Sequence, residues 1–449
     1  MFQLLVVTVA SSVLLSFALW AEAESDSNIY YQANQNVNSK VGNGEIKTDA
    51  YGLSLDVEGR WGRFGSNLVG DIRHLYEPQG EIFSVAEINI GHYGKTYSLE
   101  IGRRILPWNE STEQFWLLND VNGLREFGPT DNRQEGKFGI FFSKNWGKNI
   151  GLQLYISKMH LPSLNPGYIF KKGKITSSQS WVPLPDKQMT YYDTQVPIYY
   201  RLETPAVSEV IYQNGLGIRP SYRWKSGEIS GFALYKPESF WRQHVVGHMA
   251  RELDQVEVTV TPTVNHHMIY GIDIAQKISK IDVEIGYKIV DPNGDFKEEF
   301  PVFGESLATV HPTFESDYFQ IVPKYKQRRY FHLKSGYNGD RFSTNLFGIY
   351  SQSSDEGPGE LFAGDAIKWK RGVGLLLGYK ANDKFKASLN LKYDLKTEDT
   401  ILKNEIIYRP AKHLQLALGA ELLRSPQDES YWSSFRSNDL IYSNLAIVF

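Results

Sequence analysis

Residues 439–449, DLIYSNLAIVF, end the chain with the pattern that decides its fold. Apolar side chains fall on one set of alternate positions, at Ile441, Leu445, Ile447 and Phe449. A strand with lipid on one face and a lumen on the other needs apolar residues only at alternate positions, because neighbouring side chains point to opposite faces. The ending therefore predicts a membrane-spanning β-strand.

The start of the chain carries an export signal. Residues 4–20, LLVVTVASSVLLSFALW, are apolar and uncharged, and Ala21 and Ala23 fit the small-x-small rule of signal-peptidase cleavage. A retained anchor is the alternative, but the run is shorter than the roughly 20 residues of a spanning helix. We therefore predict a signal peptide over residues 1–23 and a mature chain over residues 24–449.

Composition separates the remaining classes. No later stretch approaches the ~18 apolar residues of a membrane helix, which excludes a helical membrane protein. The mean hydropathy is -0.37, and the chain has 27 Tyr, 38 Gly and no Cys. A barrel with a wet lumen and aromatic interfacial girdles has this composition. The absence of Cys excludes a disulfide scaffold and a thiol enzyme. A net charge of -3 does not suggest a nucleic-acid partner.

The mature chain shows one repeated organisation, in which strands are joined alternately by tight turns and by longer polar loops. The tight turns contain Gly, Asn or another turn-forming residue and lie near residues 61–63, 93–95, 146–148, 225–227, 338–340, 381–383 and 410–412. The longer connections span residues 106–135, 161–206, 237–252, 291–316, 352–363 and 424–438. This asymmetry predicts one all-β domain, a transmembrane antiparallel β-barrel of about 18 strands (16–18), with long extracellular loops able to fold into the lumen.

Several segments carry the two-faced pattern of a barrel strand. Residues 385–396 alternate apolar and polar side chains throughout, and residues 51–58 and 414–422 follow a similar period. A soluble sandwich would show the same period, and it remains the alternative fold. Residues 256–276 and 317–337 are too long for one crossing of about ten residues, and we treat each as one strand that extends beyond the membrane.

The polar faces predict a partly basic lumen, which favours anions because a low-dielectric cleft of one charge sign concentrates the opposite ion. An ordinary mixed-charge wall is the alternative, since the N-terminal strands place acidic residues such as Asp56, Glu58 and Glu87 on the same face. The candidate pore-lining residues are Arg104, Lys324, Lys326, Arg328, Lys334, Lys368, Lys370, Lys386, Lys392, Lys396, Lys403 and Arg409.

Two long loops are candidates for a constriction. In residues 106–135, Ser111 and Gln114 have the spacing of a capping box and predict a short helix that runs to about Asn119. Residues 161–206 are dense in aromatic residues and prolines, and Thr204 with Pro205 predicts the start of another short helix. The candidate constriction residues are Trp108, Trp116, Asp120, Trp181, Tyr191 and Tyr192.

One segment supports a family resemblance. Gly102, Arg103 and Trp108, followed by Asp120 and Asn122, resemble a Gly-Arg, Trp, Asp-x-Asn pattern of alginate-export-like and related porin-like barrels. The resemblance implies a Gram-negative outer-membrane channel for an anionic polysaccharide or a small organic solute. It also implies a separate periplasmic partner for any export role, because no periplasmic repeat domain precedes the strands.

The sequence shows no enzyme pattern, because its histidines lack an H-E-x-x-H spacing and adjacent His residues on a strand point to opposite faces. We expect no cofactor, metal or catalytic set. We predict an outer-membrane channel for a polysaccharide or a small anionic solute, with a general diffusion porin, an adhesive barrel or an enzymatic barrel as alternatives. The expected partners are outer-membrane lipid, lipopolysaccharide and the barrel-assembly machinery, which reads the aromatic C-terminal strand.

Overall fold

The structure is a computed structural model in which part of the chain is described. The described residues are 22–36, 50–75, 80–125, 128, 130–161, 168–171, 174–178, 187–191, 194–239, 242–250, 255–292, 318–321, 325–353, 367–427, 430–435 and 439–448. No helix in these ranges is long and apolar enough to cross a membrane. The predicted signal peptide lies almost wholly outside them and stays a prediction.

The described elements are mainly strands. In the first half of the chain they are β1 (Glu22–Asn36), β2 (Ala50–Trp61), β3 (Phe64–Leu75), β4 (Gly80–Tyr93), β5 (Tyr97–Arg104), β6 (Gly123–Leu124), β7 (Gln134–Glu135), β8 (Lys137–Trp146), β9 (Ile150–Ser157), β10 (Tyr168–Lys171), β11 (Lys174–Ser178), β12 (Gln188–Tyr191), β13 (Thr194–Leu202) and β14 (Gly215–Trp224). In the second half they are β15 (Gly227–Pro237), β16 (Arg242–Ala250), β17 (Gln255–Thr263), β18 (His266–Ile278), β19 (Ile281–Asp291), β20 (Tyr318–Ile321), β21 (Arg328–Asn338), β22 (Phe342–Ser353), β23 (Arg371–Lys380), β24 (Phe385–Asp394), β25 (Thr400–Ala411), β26 (Leu414–Arg424) and β27 (Leu440–Val448). The helices are α1 (Glu110–Phe115), α2 (Val207–Ile211) and a 3₁₀ helix (Tyr431–Phe435).

One large sheet forms the wall of the molecule. In the described residues it contains 18 strands, which lies within the predicted range of 16 to 18. The pairings run β1–β2–β3–β4–β5–β8–β9–β14–β15–β18–β19–β21–β22–β23–β24–β25–β26–β27, and β27 pairs with β1. The strands are antiparallel, and the circuit of hydrogen bonds closes on itself, so the sheet is a β-barrel without a free edge.

The last strand shows the two faces that its sequence predicts. Ile441, Leu445 and Ile447 face outward and are 48%, 44% and 45% exposed. Tyr442 and Ala446, at the intervening positions, are buried on the inner side. An apolar outer face of this kind is what contact with lipid requires, and the alternating pattern is confirmed for the described part of β27.

The connections at the two ends of the barrel differ in length. Every tight turn that the sequence predicts joins two wall strands at one end, as in residues 62–63 between β2 and β3 and residues 147–149 between β8 and β9. Residues 279–280, between β18 and β19, form a further turn at this end that the prediction missed. The longer connections leave from the other end, and the predicted asymmetry is confirmed.

The prediction for the two long segments was wrong. Residues 256–276 contain nearly all of β17 and most of β18, and residues 317–337 contain β20 and most of β21. In each case only the second strand belongs to the wall. The first strand joins a separate sheet of order β12–β13–β17–β16–β20. An alternating pattern records two faces but not the sheet in which a strand pairs, so the sequence could not separate them.

The separate sheet has a small core of its own. Val196, Val256 and Val258 are buried together, and Val245 and Val260 pack against them. Its strands lie within long connections of the barrel, between β9 and β21 in the chain. This sheet therefore belongs to the long-loop end of the molecule.

The assignment of the outward and inward faces of the wall can be tested by placing arginine at two neighbouring positions of one strand. We expect Ile406→Arg, on the outward face of β25, to lower the free energy of unfolding in lipid vesicles by about 2–4 kcal/mol, because a cation is costly in hydrocarbon. Ile407→Arg is the control, since Ile407 faces inward. Urea unfolding in vesicles measures both, and equal losses would contradict the assignment of faces.

Candidate pore constriction

The connection between β5 and β8, residues 105–136, folds into the barrel and is called the inserted loop. The backbone prepares this path at Gly102, where φ is +132° and an added Cβ would lie 2.2 Å from the Ile88 carbonyl oxygen. Only glycine fits such a position. Arg103 then ties the two ends of the loop together, because its guanidinium donates to the Gly136 carbonyl at 2.9 Å and pairs with Glu135 at 2.9 Å.

Helix α1 forms the inner part of this loop, close to where the sequence predicts a helix. It covers Glu110–Phe115, so it ends four residues before the predicted end at Asn119. Its N-cap is Asn109, which adopts a left-handed conformation and makes no side-chain cap. The predicted capping box was wrong. Ser111 lies inside the helix, where its hydroxyl donates to Glu284 of the wall at 3.0 Å, and Gln114 bonds to Glu110. The serine therefore serves a tertiary contact and does not cap the helix.

The equivalent prediction for Thr204 and Pro205 is confirmed in part. A short helix, α2, follows them, but its N-cap is Ala206, two residues later than predicted. The backbone N–H of Ala206 is bonded by the Glu209 carboxylate at 3.2 Å. The terminus is therefore stabilised by a residue of the first turn.

Aromatic side chains hold the inserted loop against the wall. Trp108 and Trp116 are fully buried. The Trp108 ring lies 5.8 Å from that of Phe232 on β15, and the Phe115 ring stacks on Phe347 of β22 at 3.7 Å. The Trp116 ring meets Trp369 at 5.4 Å. The loop thus packs against strands from separate parts of the circuit and narrows the lumen.

Buried charges hold the same loop. Lys288, on β19, pairs with Glu113 and, at 2.8 Å, with Asp120, and Arg328 reaches Asp120 at 3.1 Å. Burial raises the pKa of Glu113 against the opposing charge of Lys288. Burial would also raise the pKa of Asp120, but Lys288 and Arg328 together hold it well below its usual range. Asp120 therefore anchors the loop through its ion pairs with Lys288 and Arg328.

The opposite side of the barrel is linked to the other end of the loop. Arg125 pairs with Asp71 on β3, and the Thr130 hydroxyl donates to Glu421 on β26. In the circuit, β3 and β21 lie on opposite sides of the barrel. Since Asp120 contacts Arg328 of β21 and Arg125 contacts Asp71 of β3, the inserted loop crosses the lumen from one side to the other.

A polar cavity of about 380 Å³ remains between the inserted loop and strands β2 to β5. Its charged lining is mainly acidic and consists of Glu58, Glu87, Glu100 and Glu110, with Arg60 and Arg104. Arg60 pairs with Glu58 at 2.6 Å and Arg104 pairs with Glu100 at 2.7 Å. The two remaining glutamates leave this side of the lumen negative.

Lysines without a carboxylate partner stand on the other side of the loop. Lys334 lies over the Phe347 ring at 6.0 Å, and Lys392 lies over the Phe115 ring at 4.8 Å. The Lys368 ammonium donates to the Leu117 carbonyl of the loop at 2.6 Å. In the described residues no carboxylate oxygen lies within 4.0 Å of these three ammonium groups. Positive charge is therefore concentrated where the loop meets β21 to β24.

The other predicted pore-lining residues are distributed unevenly. Arg104, Arg328 and Lys403 form ion pairs, the last with Glu421 at 2.5 Å. Lys386 faces inward near the short-turn end, while Lys396 is exposed in a turn after β24. Lys370 immediately precedes β23, Lys326 lies two residues before β21, and Arg409 bonds to Gln415. Tyr191 ends β12, whereas Lys324, Trp181 and Tyr192 lie outside the described residues.

Sequence reasoning missed three residues that define the site. Glu113 was not selected because the residue reads as an ordinary surface position of a short helix. Phe115 and Lys288 also lack a motif, and only their partners reveal their role. In the sequence, Lys288 is recognisable only as a polar residue on an alternating strand. That pattern does not identify its partner Glu113, which is 175 residues away.

The residues of the alginate-export resemblance have structural roles here. Gly102 permits the backbone path, Arg103 joins the ends of the inserted loop and Asn122 accepts from the Leu106 N–H at 3.0 Å. Trp108 and Asp120 anchor the loop. Any loop that folds into a barrel needs such contacts, so these residues do not indicate an exporter. The similarity to alginate-export-like barrels therefore finds no support.

Comparisons with known proteins define the class of fold. No protein-family model matches the chain, and no curated protein matches it. A BenF-like porin from Pseudomonas fluorescens Pf-5 has a similar structure, with 8% identity, a TM-score of 0.50 and coverage of 95% of this chain and 98% of that one. Pseudomonas aeruginosa OccK2 (OpdF), solved in complex with glucuronate, has 9% identity, a TM-score of 0.50 and coverage of 95% and 97%. The chain has the fold of a porin-like β-barrel.

The anchor at Lys288 can be tested by removing its charge. We expect Lys288→Met to lower the free energy of unfolding by about 3–5 kcal/mol, because Glu113 and Asp120 then lose a buried partner. Lys380→Met, which breaks an exposed pair with Asp383, is the matched control and should change nothing measurable. Denaturant unfolding of both variants gives the comparison, and an unchanged Lys288→Met midpoint would contradict the anchoring role.

Proposed function

We propose that this protein is an outer-membrane diffusion channel for small solutes that carry a carboxylate or another anionic group. The observation that carries the proposal is the inserted loop, which crosses the lumen and meets a group of lysines without carboxylate partners. A loop that only stabilised the barrel would not need cations without carboxylate partners beside it. Rings or clusters of Lys are the usual means by which pores favour anions.

The barrel itself supports passage of solutes. Barrels of 16 to 18 strands generally enclose an aqueous channel, in contrast to barrels of about eight strands, which side chains fill. The inserted loop occupies part of that space and leaves the polar cavity on one side. Selectivity for small solutes follows, because a large polymer would have to displace a loop that is held by buried ion pairs.

The proposed anionic group has independent support. The OccK2 (OpdF) structure, which shares this fold, was solved in complex with glucuronate, a sugar acid. In the present chain, Lys334 and Lys368 offer ammonium groups to a carboxylate near the inserted loop. We therefore include small organic acids in the proposal and leave polysaccharide export out of it.

A general diffusion porin is the second candidate. The acidic cavity lined by Glu87 and Glu110 favours it, since a wall with acid on one side and base on the other produces a transverse field. Such a field would orient dipolar solutes instead of selecting one sign of charge. The two candidates differ in ion selectivity, which is directly measurable.

The remaining expectations are part of the same proposal. An outer-membrane location in a Gram-negative bacterium is supported by the apolar outward face of the barrel and by the porin fold. Lipid and lipopolysaccharide would then surround the wall, and the barrel-assembly machinery would recognise the last strand. A pore role, and no catalytic role, is proposed for the inward side chains.

Ion selectivity of the pore tests the role of the lysines. We expect the double variant Lys334→Gln, Lys368→Gln to lose anion preference in planar bilayers, with a permeability ratio of chloride to potassium of about one. Lys396→Gln removes one positive charge from an exposed turn and should retain the parent ratio. Reversal potentials in a salt gradient measure the ratio. A cation-selective parent channel would overturn the anionic-solute proposal and favour the general porin.

The charge of Lys368 also predicts a pH dependence. Burial lowers the pKa of Lys368 to about 8, although the negative charge of Asp120 acts in the opposite direction. The ammonium is charged below that pH and neutral above it, so anion preference should fall as pH rises from about 7 to about 9. Lys368→Met should lack this step, whereas Lys396→Met should keep it. Reversal potentials at each pH give the profiles, and identical profiles for the two variants would refute the assignment.

A further inference from the structure

A group of potential metal ligands lies on three neighbouring wall strands, outside the group of unpaired lysines. Asp273 on β18, Glu284 on β19 and His332 on β21 offer donor atoms that all lie within 4.8 Å of one another. The His332 Nε2 is 3.3 Å from an Asp273 oxygen and 3.8 Å from a Glu284 oxygen. Two ligands bound tetrahedrally at about 2.0–2.1 Å are roughly 3.4 Å apart, so these separations suit one small divalent ion.

The register of the strands explains why the three side chains converge. Asp273 is directly opposite Gly286, and Gly286 is directly opposite His332, so the three residues form one row across the wall. An added Cβ at Gly286 would lie 2.2 Å from an Asp273 oxygen and 2.5 Å from the His332 Nε2. Glycine at this position therefore keeps open the space between the carboxylate and the imidazole.

The imidazole of His332 is buried, and its contacts with Asp273 and Glu284 do not have the geometry of a well-formed hydrogen bond. The residue is 1% exposed, and neither of its ring nitrogens makes a hydrogen bond in the described structure. The Asp273 oxygen that faces it is likewise buried without a hydrogen bond. Buried polar atoms in native proteins are nearly always satisfied, and exceptions call for an explanation such as a bound ion.

No lysine or arginine neutralises these two carboxylates within 4.0 Å in the described residues. Lys334 is opposite Glu284 in the register, but its ammonium lies over the Phe347 ring. The cluster therefore combines two acidic groups with a nitrogen donor, and a cation would balance its charge. Imidazole with carboxylate ligands is a donor set that suits Zn²⁺ and other first-row divalent ions.

We propose that Asp273, Glu284 and His332 form a binding site for a first-row divalent metal ion, of which Zn²⁺ is the best fit, in the barrel wall beside the inserted loop. Three protein ligands leave a fourth position for water. The other Glu284 oxygen accepts from the Ser111 hydroxyl of α1 at 3.0 Å. The metal would thereby connect three wall strands to the helix that narrows the lumen.

The site can be tested on the purified full-length protein in detergent, without any measurement of conductance. We expect Zn²⁺ to bind with a stoichiometry of one in isothermal titration calorimetry. We also expect Co²⁺ to produce the intense visible absorption of a four-coordinate nitrogen and oxygen site. His332→Gln and Asp273→Asn should each abolish the spectrum and weaken Zn²⁺ binding by more than about 100-fold. Ser111→Ala, which removes only the orienting hydrogen bond, should weaken it by about 10-fold.

His160→Gln is the matched control, because His160 is also buried but forms no ion pair with a carboxylate in the described residues. It should bind Zn²⁺ as the parent protein does, and the heat-dependent gel mobility of each variant verifies that the barrel is folded. Parent protein that binds no Zn²⁺, or folded His332→Gln and Asp273→Asn proteins that bind as the parent does, would overturn the proposal. The channel proposal is tested separately, by the measurement of ion selectivity.

Discussion

Closure of a single hydrogen-bonded sheet is the constraint on which the rest of this structure depends. In hydrocarbon each unpaired backbone group costs several kcal/mol, and only a sheet without edges satisfies all of them. Here the last strand meets the first, with Val448 opposite Asn28. Closure turns one face of every wall strand towards a common interior. Polar side chains from residues far apart in the chain then share that interior.

The inserted loop is the second level of organisation, and it depends on the first. A wide barrel leaves its interior wet unless part of the chain enters it, and here residues 105–136 do so. The loop carries Glu113 and Asp120 into a region with little water. The free-energy cost of removing these carboxylates from water is compensated by their ion pairs with Lys288 and Arg328 of the wall. The aromatic contacts of Trp108 and Phe115 then position the helix. The shape of the pore is therefore a result of packing between the loop and the closed wall.

The electrostatic character of the interior follows from which charges remain unpaired. Several of the predicted basic residues, such as Arg104 and Lys403, are neutralised by glutamates on neighbouring strands. Lys334 and Lys368 are not paired in this way, and they lie beside the loop. A count of lysines in the sequence therefore overstates the positive charge of the lumen. The unpaired groups near the constriction carry the proposed selectivity, and the acidic cavity on the other side opposes it.

The alternating pattern of residues such as Ile441 and Leu445, together with the composition and the export signal, predicted an all-β barrel, with a soluble sandwich as the alternative. The turn residues predicted its asymmetric ends. Both are local properties, because side-chain direction in a strand and turn geometry depend on a few adjacent residues. The sequence could not predict that Ser111 contacts Glu284, that β17 leaves the wall, or that Asp273 meets His332. Strand pairing and the path of a long loop decide those contacts between residues remote in the chain. The sequence by itself therefore determined the class of fold, and only the tertiary structure decided the composition of the constriction and of the metal-ligand cluster.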